Sequence, residues 1–405
     1  MRKADESICI GKPSARQSYL NHDALIEAAT KSGADAVHPG YGFLAENAEF
    51  ARRCLAAGLI WVGPDPHVID RMGDKAVARH LAIEADVPVV PGTEGTVEPA
   101  EAARAAEDIG YPVMIKAAAG GGGKGIRFAR DAEELRSGAA EAAREADAAF
   151  GNPALYLEKL IETPRHVEVQ VLADPHGNVI HLFERECSLQ RRRQKLLEES
   201  PSVALGAEAR EQISQSAVRL ARATGYTNAG TVEFLVDVAG AFYFIEMNTR
   251  IQVEHPVTEM LTGVDLVKQQ LAIAAGGTLA VAQSQVSPRG ACIEFRIAAE
   301  DPDADFHPTP GRITHLELPG GPGVRVDTAI YEGYGIPPFY DSLVAKLIVW
   351  GSDREEAIAR GRRALEEFVI EGVATTIPFH LRMLADDGFR RGEYHTEYLV
   401  ERAPA

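Results

Sequence analysis

The sequence is poor in cysteine. Its four cysteines, Cys9, Cys54, Cys187 and Cys292, are far apart in a chain of 405 residues. Zinc sites and redox motifs use cysteines at short spacings, and none of those spacings occurs here. We therefore expect reduced, mostly buried thiols.

Long apolar runs and an excess of positive charge are also missing. No run approaches the roughly 20 residues that span a bilayer, and Met1–Glu6 hold no apolar signal segment. The net charge of −17 argues against a general nucleic-acid binder, because phosphate backbones need clustered Lys and Arg. We expect a cytoplasmic enzyme with no membrane or nucleic-acid partner, whose negative ligands are met by local positive groups.

The remaining composition is that of an ordinary globular protein, with 45% hydrophobic and 25% charged residues. The length allows two or three domains. Residues 1 to about 73 alternate strand-like and helix-like pieces, which is typical of an α/β unit, and residues 38–42 (His-Pro-Gly-Tyr-Gly) predict a tight turn after a strand. From Ala291 onward the pattern predicts an antiparallel sheet and helices, as in a separate α+β domain.

Residues 246–255 carry the most informative pattern of the chain. Side chains alternate faces along a strand, so one face of a continuous strand would present a row of oxygen ligands and a cation. The residues predicted on that face are Glu246, Asn248, Arg250, Gln252 and Glu254.

A second strand, predicted over residues 231–237, precedes this one across a short turn at Ala239-Gly240. That turn places Glu233 opposite Glu246, and facing carboxylates are unfavourable unless a cation lies between them. Glu233, Glu246 and Asn248 suit Mg²⁺ or Mn²⁺, which prefer oxygen ligands. The decapeptide alone fits a solvated strand face of mixed charge equally well.

A glycine-rich loop, Gly120 to Gly125, joins two predicted strands at residues 111–116 and 126–130. It fits G-x-G-x-x-G, but no helix follows, as a dinucleotide-binding turn requires, and Lys124 is followed by Gly125 rather than the Ser or Thr of a P-loop. We interpret it as a lid over a triphosphate, and a plain hairpin tip is the alternative.

Five cations lie between Arg185 and Lys195, a concentration that suits a small anionic substrate in so acidic a chain, although basic runs are usually solvated surface. Lys75 lies in the first turn of a helix predicted from about Asp74 to Ala85. A cation there opposes the helix dipole, which weakly indicates a phosphate partner.

With these residues assembled, the chain closely resembles the biotin carboxylases, the ATP-grasp component of acetyl-CoA, propionyl-CoA and pyruvate carboxylases. The resemblance runs from about Glu6 to Val400. It is carried by His38–Leu44, Met72–Lys75, Lys116 with Gly120–Gly125, Arg165–Glu168, Gln190–Lys195 and, above all, Phe244–Glu259.

The resemblance implies a mixed α/β and α+β fold. An incomplete N-terminal (pre-ATP-grasp) α/β domain would span residues 1–73, and an ATP-grasp domain with a lid at about 90–160 would span 74–285. A C-terminal biotin carboxylase α+β domain would span 286–405. Relatives open with a strand, a turn and a helix before this chain begins, so we expect roughly 40 residues of the first domain to be absent.

The resemblance also implies roles for individual residues. Arg250 would be catalytic, Glu254 the base and Lys195 a bicarbonate ligand, with Gln252 and Val253 beside bicarbonate and Arg325 facing biotin. Arg193 departs from the ring-bearing residue of many relatives, which puts ATP affinity in question. Glu233, Glu246 and Asn248 would hold the metal. The residues implied for ATP are Lys75, Lys116, Gly122, Gly123, Glu158, Lys159, Leu160, Ile161, His166, Gln190, Arg193, Glu233 and Glu246.

The implied reaction is ATP- and bicarbonate-dependent carboxylation of biotin through carboxyphosphate. The sequence has no Met-Lys-Met biotin-acceptor site, so biotin would arrive on a biotin carboxyl carrier protein, with the carboxyltransferase also separate. The resemblance alone implies a homodimer. Two alternatives are a non-catalytic ATP-binding subunit, favoured by the short N-terminus, and another ATP-grasp ligase, which would not be expected to keep Arg250–Glu254 together with Arg325.

Overall fold

A computed structural model describes residues 4–93, 95–98, 101–117, 127–150 and 154–402. The chain forms two compact units, one of Met1–Val87 with Pro164–Ala405 and one of Pro88–Thr163. The strands are β1 (Ala36–Val37), β2 (Ile60–Trp61), β3 (Val113–Ala117), β4 (Arg127–Ala129), β5 (Leu155–Lys159), β6 (Arg165–Ala173), β7 (Val179–Arg191), β8 (Gln194–Ser200), β9 (Asn228–Val236), β10 (Phe242–Asn248), β11 (Ala291–Ala298), β12 (Glu300–Asp301), β13 (His307–Pro308), β14 (His315–Glu317), β15 (Val324–Thr328), β16 (Leu343–Gly351) and β17 (Val369–Glu371).

The helices are α1 (His22–Lys31), α2 (Ala48–Ala56), α3 (Pro66–Gly73), α4 (Lys75–Glu84), α5 (Ala102–Ile109), α6 (Ala132–Phe150), α7 (Ala207–Ala223), α8 (His255–Thr262), α9 (Leu266–Ala274), α10 (Arg354–Glu367), α11 (Ile377–Ala385), α12 (Asp387–Arg391) and α13 (Tyr398–Glu401). None of them, within the described ranges, combines the length and apolar composition that a membrane crossing needs.

The first unit is built on an eight-stranded sheet in the order β10-β9-β6-β7-β8-β11-β16-β15. Neighbouring strands are antiparallel throughout. Strand β6 is buried along all its length except Arg165, because helix α7 packs on β6 and β7 and helix α9 packs on β9. Strands buried on both faces are rich in apolar residues on both sides, which is the pattern of β6 and β7 apart from their several charged residues.

The strands predicted after Ala291 form an antiparallel ladder, as expected, with α10 and α11 packed beside it. Their core includes Phe295, Leu347 and Phe379. Strand β11 also pairs with β8, so the C-terminal strands extend the main sheet without a break. The domain boundaries at residues 73 and 285 remain predictions.

The N-terminal part of this unit confirms the predicted alternation of strands and helices. Strands β1 and β2 pair in parallel, and Asn21 and Asn47 cap helices α1 and α2 by accepting backbone N–H bonds. Phe50 and Trp61 belong to the core between these elements.

The second unit is a three-stranded sheet in the order β4-β3-β5 with helices α5 and α6 packed on it. The predicted hairpin pairing of β3 with β4 is confirmed. The glycine-rich loop at its end lies outside the described residues, as do Gly122 and Gly123.

The prediction of one strand through residues 246–254 is wrong. Strand β10 ends at Asn248, and helix α8 begins at His255 with Pro256 in its first turn. Proline fits a helix start because its missing N–H would have no helical partner there. Arg250, Gln252 and Glu254 therefore belong to an irregular link between strand and helix, and not to one strand face.

Candidate functional site

Glu233 and Glu246 face each other across the β9–β10 hairpin, as predicted. The route to that register differs from the prediction. The turn is longer than two residues, since Val236 pairs with Phe242, and a bulge between Phe244 and Glu246 restores the expected alignment.

Lys195 on β8 forms the centre of a polar cluster inside the first unit. Its Nζ donates to Glu168 at 2.6 Å, to Glu254 at 2.7 Å and to Glu233 at 3.1 Å. Its side chain is only 12% exposed. Burial lowers the pKa of Lys195, but the three carboxylates outweigh it and hold that pKa well above the usual range. The ammonium is thus a permanent cation.

Glu233 accepts hydrogen bonds from several further groups. Oε1 accepts from Asn248 Nδ2 and from Gln252 Nε2, both at 2.8 Å. Oε2 lies 2.9 Å from His166 Nε2. Burial raises the pKa of Glu233, yet Lys195 and His166 dominate and hold it well below its usual range. Glu233 is therefore an anion at neutral pH.

The predicted metal ligands fit a divalent cation. Glu233 and Glu246 are directly opposed carboxylates on adjacent strands, and Asn248 follows on the same strand as Glu246. The donors are all oxygens, the type preferred by Mg²⁺ and Mn²⁺, and a cation relieves the repulsion of the facing carboxylates. His166, Glu168 and Glu233 form another cluster close enough for a metal, and it shares Glu233 with the predicted ligand set.

Arg250 contacts the amide oxygen of Asn248, whose amide nitrogen bonds Glu233. Its Nη2 donates to Asn248 Oδ1 at 2.9 Å, and its Nε donates to Glu46 Oε2 at 2.8 Å. The other oxygen of Glu46 accepts the backbone N–H of Thr249 at 3.1 Å. Glu46, from the segment before α2, thus fixes both the backbone and the side chain at the predicted catalytic arginine.

Glu254 is held between two cations. Besides Lys195 it accepts from Arg296 Nη2 at 2.9 Å, and it is 2% exposed. Burial raises its pKa, but Lys195 and Arg296 hold the pKa below the usual range, so Glu254 is ionised. The carbonyl of the preceding residue, Val253, accepts from the buried Lys346 at 2.9 Å.

The basic run from Arg185 to Lys195 does not form one anion site. Arg185 is fully buried, and its Nε donates to Glu168 at 2.5 Å. Arg191 and Arg192 at the β7–β8 turn both pair with Asp305. The run divides into two groups, since Arg185 and Lys195 both bond Glu168 while Arg191 and Arg192 lie with Asp305. That these cations serve a small anionic substrate stays a prediction.

Two other nucleotide candidates lie on this hairpin. Gln190 is opposite Lys195 in the ladder. Arg192 and Arg193 form the turn with φ of 49° and 67°, the left-handed conformation that two-residue hairpin turns demand. Arg193 is exposed.

Lys75 lies at the start of α4, next to Glu246. The two charged atoms are 3.7 Å apart, and the lysine side chain is 84% exposed. Both residues line a cavity of about 210 Å³ with Asn248 and Glu46. The ammonium of Lys75 at the helix start therefore has a carboxylate partner, Glu246, on the β9–β10 hairpin.

Arg325, the predicted biotin residue, pairs with carboxylates other than the three around Lys195, and one of them, Asp327, also lies 3.8 Å from Lys346. It donates to Asp327 and to Glu259, each at 2.7 Å. It lines a separate cavity of about 420 Å³ with His255 and Glu259. The arginine that bonds Glu254 is Arg296.

In the second unit, Lys116 on β3 forms an ion pair with Glu158 on β5. Lys159 Nζ donates to the carbonyls of Gly110 and Tyr111 at 3.0 and 2.6 Å. The backbone N–H of Leu160 donates to the carbonyl of Pro112 at 3.0 Å, and Ile161 follows it after the end of β5.

Sequence reasoning missed Glu46, Arg296 and Lys346 as parts of the site. The first carried no signal, because it lies 204 residues from its partner Arg250. The other two did carry one: a charged residue alternating with apolar residues in a strand of a largely buried sheet needs a partner.

Comparisons with known proteins find matches to family models in the N-terminal, middle and C-terminal parts of the chain. Residues 1–69 match the family described as Biotin carboxylase, N-terminal domain, and residues 294–401 match Biotin carboxylase C-terminal domain. Residues 74–282 match Carbamoyl-phosphate synthase L chain, ATP binding domain. Biotin carboxylase 1 of Bacillus subtilis is 56% identical over 401 residues, which cover 98% of this chain and 89% of that protein.

Solved structures show the same similarity. The biotin carboxylase domain of a thermophilic 2-oxoglutarate carboxylase bound to bicarbonate superposes with a TM-score of 0.93 at 49% identity, covering 99% of this chain and 88% of the other. The dimeric biotin carboxylase domain of the Hydrogenobacter thermophilus 2-oxoglutarate carboxylase, in complex with MgADP, ADP and bicarbonate, gives 0.88 at 51% identity, with the same coverage of 99% and 88%.

Proposed function

The chain belongs to the biotin carboxylase family, and on that premise we propose that the cluster around Lys195 carries out the ATP- and bicarbonate-dependent carboxylation of biotin. The same matches identify an ATP-dependent ligase and give no support to a non-catalytic subunit or a different ATP-grasp ligase. The observation that carries the proposal is a buried ammonium in contact with three carboxylates beside Arg250 and Asn248.

In this proposal Lys195 and Arg250 bind bicarbonate, with Gln252 and the backbone at Val253 beside it. Two anions, bicarbonate and the γ-phosphate, must approach each other, and fixed cations lower the cost of that encounter. Bicarbonate oxygen attacks the γ-phosphorus, the bond to ADP breaks, and carboxyphosphate forms. Glu254, an ionised carboxylate next to Lys195, accepts the bicarbonate proton.

Carboxyphosphate then splits into CO₂ and phosphate. The phosphate takes the proton from the ureido N1′ of biotin, and the resulting enolate attacks CO₂. Arg250 stabilises the enolate oxygen, since Glu46 and Asn248 hold its guanidinium in place.

The nucleotide is assigned to Lys75, His166, Gln190, Arg193, Glu233 and Glu246 in the first unit, and to Lys116, Gly122, Gly123 and Glu158 to Ile161 in the second. Mg²⁺ or Mn²⁺ held by Glu233, Glu246 and Asn248 would neutralise phosphate charge. The support for these assignments is the opposed carboxylate pair and the family resemblance.

Biotin is assigned to Arg325 by the resemblance, and Arg296 lies closer to the cluster through its bond to Glu254. Replacing each by alanine separates the two. A rise in the KM for biotin with unchanged ATP affinity in Arg325→Ala alone would support the first assignment, and the same rise in Arg296→Ala alone would reject it.

We also propose that the biotin is attached to a biotin carboxyl carrier protein and that the carboxyltransferase is a separate component. The chain itself is proposed to be a cytoplasmic homodimer. The similar domain from Hydrogenobacter thermophilus is a dimer. Sedimentation of the purified chain tests the oligomeric state, and a strictly monomeric active protein would contradict it.

The central experiment measures ADP release from MgATP and bicarbonate, with and without free biotin, for the wild type and Arg250→Ala. We expect biotin-stimulated release that falls at least about a hundredfold in the variant, a size typical of losing one preorganised electrostatic group. Arg362→Ala removes an exposed helix arginine paired with Glu366 and is the matched control. ATP binding without any biotin-dependent turnover in the wild type would contradict the proposal.

A further inference from the structure

Two buried glutamates face each other behind the Arg296–Glu254 ion pair. Glu198 on β8 and Glu294 on β11 are direct partners in the antiparallel register, and neither is exposed to solvent. Facing side chains of such a pair lie about 5 Å apart at Cβ, and two negative charges there are destabilising. A buried ionised carboxylate without a compensating cation is strongly destabilising.

The hydrogen-bond partners of the two glutamates are unequal. Glu198 Oε1 accepts from Arg296 Nε at 2.6 Å. Glu198 Oε2 and both carboxyl oxygens of Glu294 have no partner among the described residues. A carboxylic acid has one O–H donor, so a proton on Glu294 lets that residue donate to the free oxygen of Glu198. The two residues are direct partners in the ladder, and one such bond would give a partner to Glu198 Oε2 and to one oxygen of Glu294.

We propose that Glu294 is a carboxylic acid that shares its proton with Glu198, and that Glu198 is thereby a positioning residue which holds Arg296 against Glu254. The proposal rests on the function assigned above, because its consequence for turnover runs through Glu254. Its structural content, one proton on a buried carboxyl pair, does not depend on any activity.

The charges around the pair agree with this assignment. Burial, followed by the charges of Glu198 and Glu254, raises the pKa of Glu294 well above its usual range, against the opposing effect of Lys346 and Arg296. Burial and Glu254 raise the pKa of Glu198 to about 7, and Arg296 and Lys195 oppose that rise. Two further titratable groups face this region: the Tyr41 hydroxyl, which interacts electrostatically with Glu294, Arg296, Asp327 and Glu254, and the buried Cys187 thiol, which interacts with Glu198 and Glu254. Lys346 is committed elsewhere, since its Nζ donates to the carbonyl of Val253.

Two substitutions separate the roles. Glu198→Gln removes the anion that fixes Arg296 while keeping shape, and we expect kcat/KM for biotin to fall about tenfold to a hundredfold, as for loss of one charge-assisted bond. Glu294→Gln imitates the protonated acid. In the wild type activity should decline at alkaline pH, where Glu294 loses its proton, and Glu294→Gln should move that decline to higher pH.

Infrared difference spectroscopy on the full-length protein tests the shared proton directly. The wild type should show the carbonyl band of a protonated carboxylic acid at about pH 7, where an ordinary glutamate is ionised. The band should disappear in Glu294→Gln and shift in Glu198→Gln. It should be unchanged in Glu366→Gln, whose carboxylate is exposed on α10 and paired with Arg362.

A missing band in the wild type, or a band that survives in Glu294→Gln, would overturn the proposal. Folding of each variant is checked by circular dichroism and ATP binding. Absence of biotin-dependent turnover in the wild type with the band present would count against the proposed function and leave the shared proton established. An unaltered kcat/KM in folded Glu198→Gln would reject the positioning role.

Discussion

At the scale of single residues, Glu46 controls the geometry of Arg250. Its two oxygens bond the Arg250 guanidinium and the backbone of Thr249, so the carboxylate fixes a side chain and the link that carries it. In Glu46→Gln we expect kcat/KM for bicarbonate to fall about tenfold, because one charge-assisted bond in a partly exposed pair is lost. ATP affinity should change less, and titration of ATP binding is the control. An unchanged bicarbonate dependence would contradict this role.

The residues of the site were predictable to different extents. Glu233, Glu246 and Asn248 follow from local strand alternation and a short hairpin, so the sequence indicates their proximity. Glu254 belongs to the predicted strand face and Lys195 to the basic run, but the individual roles of both came only from the resemblance. Glu46 and Arg296 reach the site through contacts between segments far apart in the chain, and no local periodicity encodes such contacts.

At the scale of elements, β7 carries two arginines in different environments, Arg185 in the buried interior and Arg191 beside the exposed Asp305. Arg185 is fully buried and bonds Glu168, Gln170, Thr231, Gln252 and Thr258. We expect Arg185→Leu to lower the free energy of unfolding by about 3–5 kcal/mol, since it removes one of the two cations that pair with the buried Glu168 and leaves the other buried acceptors of Arg185 without their donor. Arg191→Leu, which removes a partner of the exposed Asp305, is the control and should change stability little. Urea unfolding measures both, and equal effects would contradict the assignment.

The elements themselves were predicted best where amphipathic periodicity was strong. The helix expected from about Asp74 to Ala85 is observed as Lys75–Glu84. Strand β10 was predicted too long, because alternation alone does not register that Pro256 begins a helix. The long helix α6 was not predicted, since its alanine-rich composition gives a weak contrast between its faces.

For the whole molecule, acid stability depends on a buried histidine. His380 has a pKa lowered to about 4 by burial, against a backbone bond to the Arg296 carbonyl. The unfolded chain therefore binds a proton below about pH 6.5 that the folded chain does not, and stability is lost as pH falls from 6.5 toward 4. The slope contributed by this group is at most about 1.4 kcal/mol per pH unit.

In His380→Gln we expect a shallower fall of the unfolding free energy over that pH range, measured by urea unfolding at successive pH values. His67→Gln, at an exposed helix start, should keep the wild-type slope. A variant curve parallel to that of the wild type would exclude His380 as a source of the acid sensitivity.

The overall architecture was predictable in its class and only partly in its connections. Alternating pieces in the first part and antiparallel strands in the last were both expected and are both found. The pairing of β8 with β11 joins strands about 90 residues apart, and no turn signal or spacing indicates such a partner.

The pairing of β8 with β11 limits how members of this family can exchange segments by recombination. The residues that pair there, Leu197 to Ser200 with Cys292 to Phe295, include both members of the buried glutamate pair. A recombination crossover between relatives at a position between these two stretches would join segments that evolved in different proteins. The residues paired across β8 and β11, including the two glutamates, would then no longer be matched to each other. Inheritance is therefore expected to keep these two short stretches together, even though Glu198 and Glu294 lie in segments matched by different family descriptions.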